Sequence, residues 1–300
     1  MESSIKNKLT GMGVALITPF RQDDSIDFDA LGQLIDYQIQ NKADYLVALG
    51  TTAETPTLSA DEKQEIITFV KRRVNGRLPI VLGCGGNCTA NVVKELQTGD
   101  FTGIDAILSV TPYYNKPSQE GIYQHYKAIA QATTLPVIMY NVPGRTGVNM
   151  TVDTILRLAR EFSNIVAIKE ASGNITQMNN IIKNKPRDFM VICGDDGIAY
   201  PLITMGAVGV ISVIGNAFPR EFSRMVRLAL NGDYQNALLI HHRFTDMFDL
   251  LFVDGNPAGV KCILSMMGYI ENKLRLPLVP TRLTTYEKIR EVLMQLSIKC

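Results

Sequence analysis

The chain has 300 residues, 46% of them hydrophobic, and its 30 basic residues against 29 acidic ones leave a formal net charge of +1. That length suits one large domain or two ordinary ones, and so even a charge balance gives no electrostatic footprint for nucleic acid. No run of about 18 apolar residues exists to span a membrane, the opening Met1-Glu2-Ser3-Ser4-Ile5-Lys6-Asn7-Lys8 lacks a signal-peptide core, and the odd count of five cysteines, mostly in apolar segments, points to reduced thiols in a cytoplasmic setting.

Short β-rich runs alternate with amphipathic stretches. The predicted strands are Met12–Ile17, Tyr45–Leu49, Pro79–Leu82, Ala106–Val110, Pro136–Tyr140, Ile165–Lys169, Phe189–Cys193 and Val208–Val213. Helical patterns fall between and after them at 28–41, 60–74, 88–98, 119–132, 151–161, 175–184, 196–204 and 219–230. Ser59-Ala60-Asp61-Glu62 has the form of a capping box, and Thr151 and Asn174 suit N-caps. Eight β-then-α units in about 230 residues fit a closed (β/α)8 TIM barrel better than an open doubly wound sheet. From about residue 234 onward the pattern is helical only, at 234–252, 257–268 and 283–297. The expected organisation is a catalytic barrel over 1–232 and a C-terminal helical extension over 233–300.

In such a barrel the active site lies where strands end and βα loops begin. Lys169 closes the apolar run Ile165-Val166-Ala167-Ile168-Lys169. A lysine there either snorkels to solvent, pairs with Glu170, or is desolvated. Desolvation disfavours the ammonium form, and a free amine is the nucleophile that makes a Schiff base with a carbonyl substrate. The same predicted face gathers Thr51 and Thr52, Tyr113 and Tyr114, Tyr140, Arg145, Asp195 and Asp196. Tyr140 is a proton relay or a packing aromatic. The two threonines bind a carboxylate or form an ordinary turn. Arg145 offers a bidentate fork to a carboxylate or lies free on the surface. Tyr113 and Tyr114 either cross to a neighbouring subunit or are plain surface residues. Asp195 and Asp196 are a weak metal candidate beside a cap role.

Gly83-Cys84-Gly85-Gly86-Asn87-Cys88 lacks the lysine of a P-loop and the third glycine of a dinucleotide site. Cys84 and Cys88 have no partners at metal spacing, and His125, His241 and His242 fall in helical patterns. No metal or nicotinamide signature is present.

Four motifs then carry a resemblance: Gly50-Thr51-Thr52-Ala53-Glu54, Tyr113-Tyr114-Asn115-Lys116-Pro117, Tyr140-Asn141-Val142-Pro143-Gly144-Arg145-Thr146 and Ile168-Lys169-Glu170-Ala171-Ser172-Gly173. From about Gly11 onward the chain resembles the dihydrodipicolinate synthase family, within the pyruvate-dependent class I aldolases that include N-acetylneuraminate lyase. The resemblance implies a lyase joining pyruvate to aspartate-4-semialdehyde on the way to diaminopimelate and lysine, with no cofactor beyond a covalent imine. It implies that Lys169 forms that imine, that Tyr140, Thr51 and Tyr114 relay protons, and that Tyr114 comes from a dimer partner. Thr52 would bind the pyruvate carboxylate, Arg145 the semialdehyde carboxylate, and Gly194 and Ile211 would shape the pocket through backbone groups. It further implies a homotetramer built as a dimer of dimers. Arg145 suits a short, doubly charged adduct rather than a long polyhydroxylated sugar. The alternatives are a sialic-acid or 2-keto-3-deoxy sugar acid aldolase, or a non-catalytic binding protein on the same scaffold.

Two departures from the family pattern stand out. Ala53 replaces a glycine, which would cost about 1 kcal/mol if the position needs positive φ. Ala60, Lys63 and Asn91 occupy positions where lysine-sensitive members carry histidines and a glutamate, while Asn87 and Tyr113 are retained. Weak or absent inhibition by lysine is expected.

Overall fold

The computed structural model describes residues 2–296. Eight parallel strands close on themselves in sequence order: β1 Gly11–Ala15, β2 Tyr45–Ala48, β3 Ile80–Gly83, β4 Ala106–Val110, β5 Val137–Asn141, β6 Ile165–Glu170, β7 Met190–Cys193 and β8 Gly209–Ser212. Nearly every strand residue is buried. That is why the strands read as unbroken apolar runs: one side faces the barrel interior and the other faces the helices. Closure pairs Gly11 with Gly209. Gly209 has φ +151, and a Cβ there would stand 1.9 Å from the Gly11 carbonyl oxygen, so only glycine fits the seam.

Two apolar cores result. The larger fills the layer between strands and helices. The smaller fills the barrel with Ala15, Tyr45, Val47, Leu108, Ile138, Ala167, Ile192 and Ile211, joined by Leu9. Leu9 ends a helix, Glu2–Leu9, that the polar sequence of the segment did not announce. It enters the interior cluster beside Tyr45 and closes the end opposite the strand C-termini.

The barrel helices lie where their periodicity placed them. Ser59 and Glu62 make both halves of the capping box, and Asn174 caps Ile175–Asn184. Thr151 holds the N-cap position of Val152–Glu161 without capping it; its Oγ1 donates instead to Gln119 Oε1 at 3.1 Å. The pattern over 196–204 begins as a 3-10 turn, Asp196–Ile198. The expected helix over 234–252 is two, Tyr234–Arg243 and Thr245–Leu250, broken where the buried Phe244 turns inward against Phe218. The last helix is Leu283–Gln295, and residue 297 lies outside the described residues. No described helix is long and apolar enough to cross a membrane.

If Leu9 plugs the barrel, Leu9→Ala should cost about 2–4 kcal/mol, as other large-to-small core changes do. Denaturant unfolding measures it, and a loss under about 1 kcal/mol would show that the helix merely lies on the surface.

Candidate active site

Parallel register places Tyr140 of β5 beside Lys169 of β6, and Asn141 beside Glu170. Side chains alternate along a strand, so the first pair faces into the barrel and the second faces the helices. Lys169 is 6% exposed. Its Nζ lies 4.3 Å from the centroid of the Tyr140 ring, and it makes no ion pair among the described residues. Glu170 does not pair with it. That carboxylate is fully buried on the other face, where it accepts from the Ser172 amide at 2.7 Å, Asn141 Nδ2 at 3.0 Å and Gln177 Nε2 at 3.2 Å. Asn141 Nδ2 also donates to Asn149 Oδ1 at 2.8 Å. This satisfied network fixes the ends of β5 and β6 directly behind the amine and phenol.

Gly194, after β7, leaves room for the lysine. A Cβ there would lie 2.7 Å from Ala171 Cβ and 3.1 Å from Lys169 Cε. Ile211 of β8 is buried in the interior cluster, in register with Gly13.

The loop after β2 folds as a tight turn, Thr51–Ala53. It is bracketed by two non-glycine residues in the left-handed region, Leu49 at φ 53 and Glu54 at φ 55. Each such residue costs about 1–2 kcal/mol, and strain of this kind concentrates at functional sites. Ala53 is not one of them: it sits inside the turn, buried, with Thr18 Oγ1 donating to its carbonyl at 2.8 Å. The alanine therefore meets no left-handed backbone. Thr52 is buried, and its Oγ1 accepts from Asn256 Nδ2 at 3.0 Å. Its own hydroxyl proton is thereby left free to donate elsewhere. Glu54 forms an ion pair with Lys261 at 2.5 Å in which neither side chain is exposed. Burial draws the Lys261 pKa down against the opposing pull of Glu54.

A cavity of about 330 Å³ opens at the strand C-termini, lined by Thr51, Lys63, Tyr113, Tyr140, Arg145 and Thr146 among others. Lys63 and Arg145 are its charged walls, both cationic, and neither is ion-paired among the described residues. Arg145 stands exposed on a four-residue helix, Pro143–Thr146. Lys169 sits behind the ring of Tyr140 rather than in the wall itself. Tyr114 is not part of this wall either. It is 88% exposed with φ 74, so within one chain it points at nothing in the site.

Residues 8–296 match the dihydrodipicolinate synthetase family. The chain belongs to that family. It is 75% identical over 292 residues to the 4-hydroxy-tetrahydrodipicolinate synthase of Parabacteroides distasonis, covering 97% of this chain and 98% of that one. It is 71% identical over 296 residues to the enzyme of the same name from Phocaeicola vulgatus, covering 99% and 100%. Among solved structures, the dihydrodipicolinate synthase of Acinetobacter baumannii complexed with pyruvate superposes with a TM-score of 0.94 at 41% identity, covering 97% of this chain and 99% of that one.

Not every residue gathered around the Thr51–Ala53 turn was visible in the sequence. Asn256 and Lys261 belong to the C-terminal extension and were passed over. Lys261 carried the same signal as Lys169, a lysine inside an apolar run, Val260-Lys261-Cys262-Ile263-Leu264. The acidic pair has no further ligating side chain beside it: no group of three or more His, Cys, Asp or Glu side chains that could hold a metal occurs among the described residues. Asp195 caps the turn by accepting from the Gly197 amide at 2.9 Å. Asp196 accepts from the amides of Val213 at 2.9 Å and Ile214 at 2.7 Å. His125 is buried against Thr89 Oγ1 at 2.9 Å, and burial lowers its pKa to about 4.

Burial pushes the Asp196 carboxyl up to about 6 from an ordinary value of 3.8. A carboxyl raised on folding gives stability that is fully present below the unfolded value and lost as pH rises through about 6. Asp196→Asn cannot titrate. Its unfolding free energy should therefore gain on that of the unaltered protein between pH 4 and pH 7. A difference that stays constant with pH in urea titrations would refute the shift.

Proposed function

We propose that the chain condenses pyruvate with L-aspartate-4-semialdehyde to give 4-hydroxy-tetrahydrodipicolinate, in the biosynthesis of diaminopimelate and lysine. The observation that carries this reading is an amine buried without a counter-ion, against a phenol, behind a cavity whose charged walls are cationic. The relatives of high identity bear the name of that synthase.

The Lys169 amine attacks the ketone carbon of pyruvate. The carbinolamine loses water, and its carbon becomes an iminium. A methyl proton then leaves, its electrons drawn into the iminium, and an enamine forms. The enamine carbon attacks the aldehyde of the second substrate and makes the new carbon–carbon bond. The substrate's own amine adds to the imine carbon, closes the ring and expels Lys169. The iminium is the electron sink, so the scheme needs no added cofactor.

Tyr140 moves protons onto and off the carbinolamine oxygen, and Thr51 passes them toward the cavity. The third relay member, Tyr114, is supplied by a second copy of the chain; its exposure and left-handed backbone suit a residue that reaches outward. We infer an assembly of at least a dimer, extending to the homotetramer expected of the family, in a cytoplasmic setting that keeps buried Cys84, Cys193 and Cys262 reduced. Thr52 donates its free hydroxyl proton to the pyruvate carboxylate. Arg145 holds the semialdehyde carboxylate, while Gly194 and Ile211 shape the pocket beside the amine. Two cationic walls favour a dianionic adduct over a polyhydroxylated sugar acid.

Borohydride reduction in the presence of pyruvate, followed by intact mass, should add one reduced pyruvate to the unaltered protein and none to Lys169→Ala, which stays folded. Absence of the added mass on the unaltered protein would sink the imine. Arg145→Ala should raise the KM for the semialdehyde about tenfold or more while the pyruvate imine still forms, since one charge-assisted hydrogen bond is lost.

Lys63 lies in the cavity wall without an ion pair, so its ammonium repels that of a lysine ligand, and Asn91 offers no carboxylate to compensate. Activity should persist through millimolar L-lysine. Inhibition in the micromolar range would overturn this expectation.

A further inference from the structure

The turn that carries Thr51 and Thr52 is not held by the barrel alone. Directly after it, Glu54 adopts a left-handed backbone that relaxes unless its surroundings hold it. One carboxylate oxygen meets Lys261 Nζ at 2.5 Å. The other accepts from the backbone amide of Arg275 at 3.0 Å. Lys261 also donates to the Lys273 carbonyl at 2.9 Å. The Arg275 guanidinium donates to the Thr57 carbonyl at 3.0 Å and to Glu62 Oε1 at 2.5 Å. Both cations rest on the ring of Phe20, Lys261 at 4.3 Å and Arg275 at 4.4 Å. The loop from Thr52 to Glu62 is thus fastened at each end to residues of the extension.

A fully buried ion pair adds little net stability, because desolvation cancels most of the attraction, and replacing both partners by uncharged groups often leaves a fold as stable. What such a pair does supply is a fixed place for each partner. We propose that Glu54 and Lys261 are positioning residues: through their ion pair the C-terminal extension sets the Thr51–Thr52 turn for imine formation. The proposal rests on the roles given above to those two threonines.

The test compares Glu54→Gln/Lys261→Met, Glu54→Asp and Thr51→Val with the unaltered protein. The readouts are melting temperature and the single-turnover rate of borohydride-trappable imine formation with pyruvate. The double variant is expected to melt near the unaltered protein yet form the imine about ten- to a hundredfold more slowly, the effect of a small misplacement of reacting groups. Glu54→Asp keeps both charges and shortens the reach by one methylene; it should stay folded and slow the same step. If the double variant does not fold, Glu54→Asp decides alone. Full-rate imine formation in both folded variants beside a slowed Thr51→Val overturns the clamp and leaves the relay standing. A full-rate Thr51→Val overturns the relay and the clamp with it.

Discussion

The lateral register of β5 against β6 is the constraint from which the site follows. With Tyr140 level with Lys169, strand alternation sends both side chains inward together and sends Asn141 and Glu170 outward together. A slip of one residue along β6 would put Glu170 where Lys169 stands and turn Lys169 to the other face. The carboxylate would then sit inside the barrel beside substrate, and the amine would lie among helices. The outward network of Glu170, Asn141, Asn149 and Gln177 locks that register. It also keeps a carboxylate one residue from the Lys169 amine without letting the two meet.

Much of this was legible in the chain. The alternation of apolar runs and amphipathic stretches gave all eight strands to within two residues, because strands buried on both faces have no polar positions to blur the signal. That Lys169, Thr51, Tyr140 and Arg145 gather at one end of the barrel follows from position alone, since strand ends in a barrel converge on one face. What escaped notice depended on contacts distant in sequence. Asn256 and Lys261 matter because of Thr52 and Glu54; the apolar run around Lys261 marks a buried lysine, but nothing local to 256–261 names its partners. The helix Glu2–Leu9 was missed for a related reason. Its segment is polar but for Ile5 and Leu9, and its single deep contact lies inside a barrel that the segment itself does not build.

The two lysines on apolar elements make an instructive pair. Both are nearly or wholly excluded from solvent. Lys261 has a carboxylate at 2.5 Å and a carbonyl at 2.9 Å, so its charge is answered and its N–H bonds find acceptors. Lys169 has an aromatic face and no counter-ion among the described residues. The contrast shows why burial alone is a poor guide to reactivity: the neighbours decide whether a hidden amine serves as a fastening or as a nucleophile.

Leu9 gives the barrel a floor. With Leu9 and Tyr45 packed at the end away from the strand C-termini, the barrel interior is filled on that side. Whatever approaches the Lys169 amine must then come from the side of the strand C-termini, where the cavity between Lys63 and Arg145 opens.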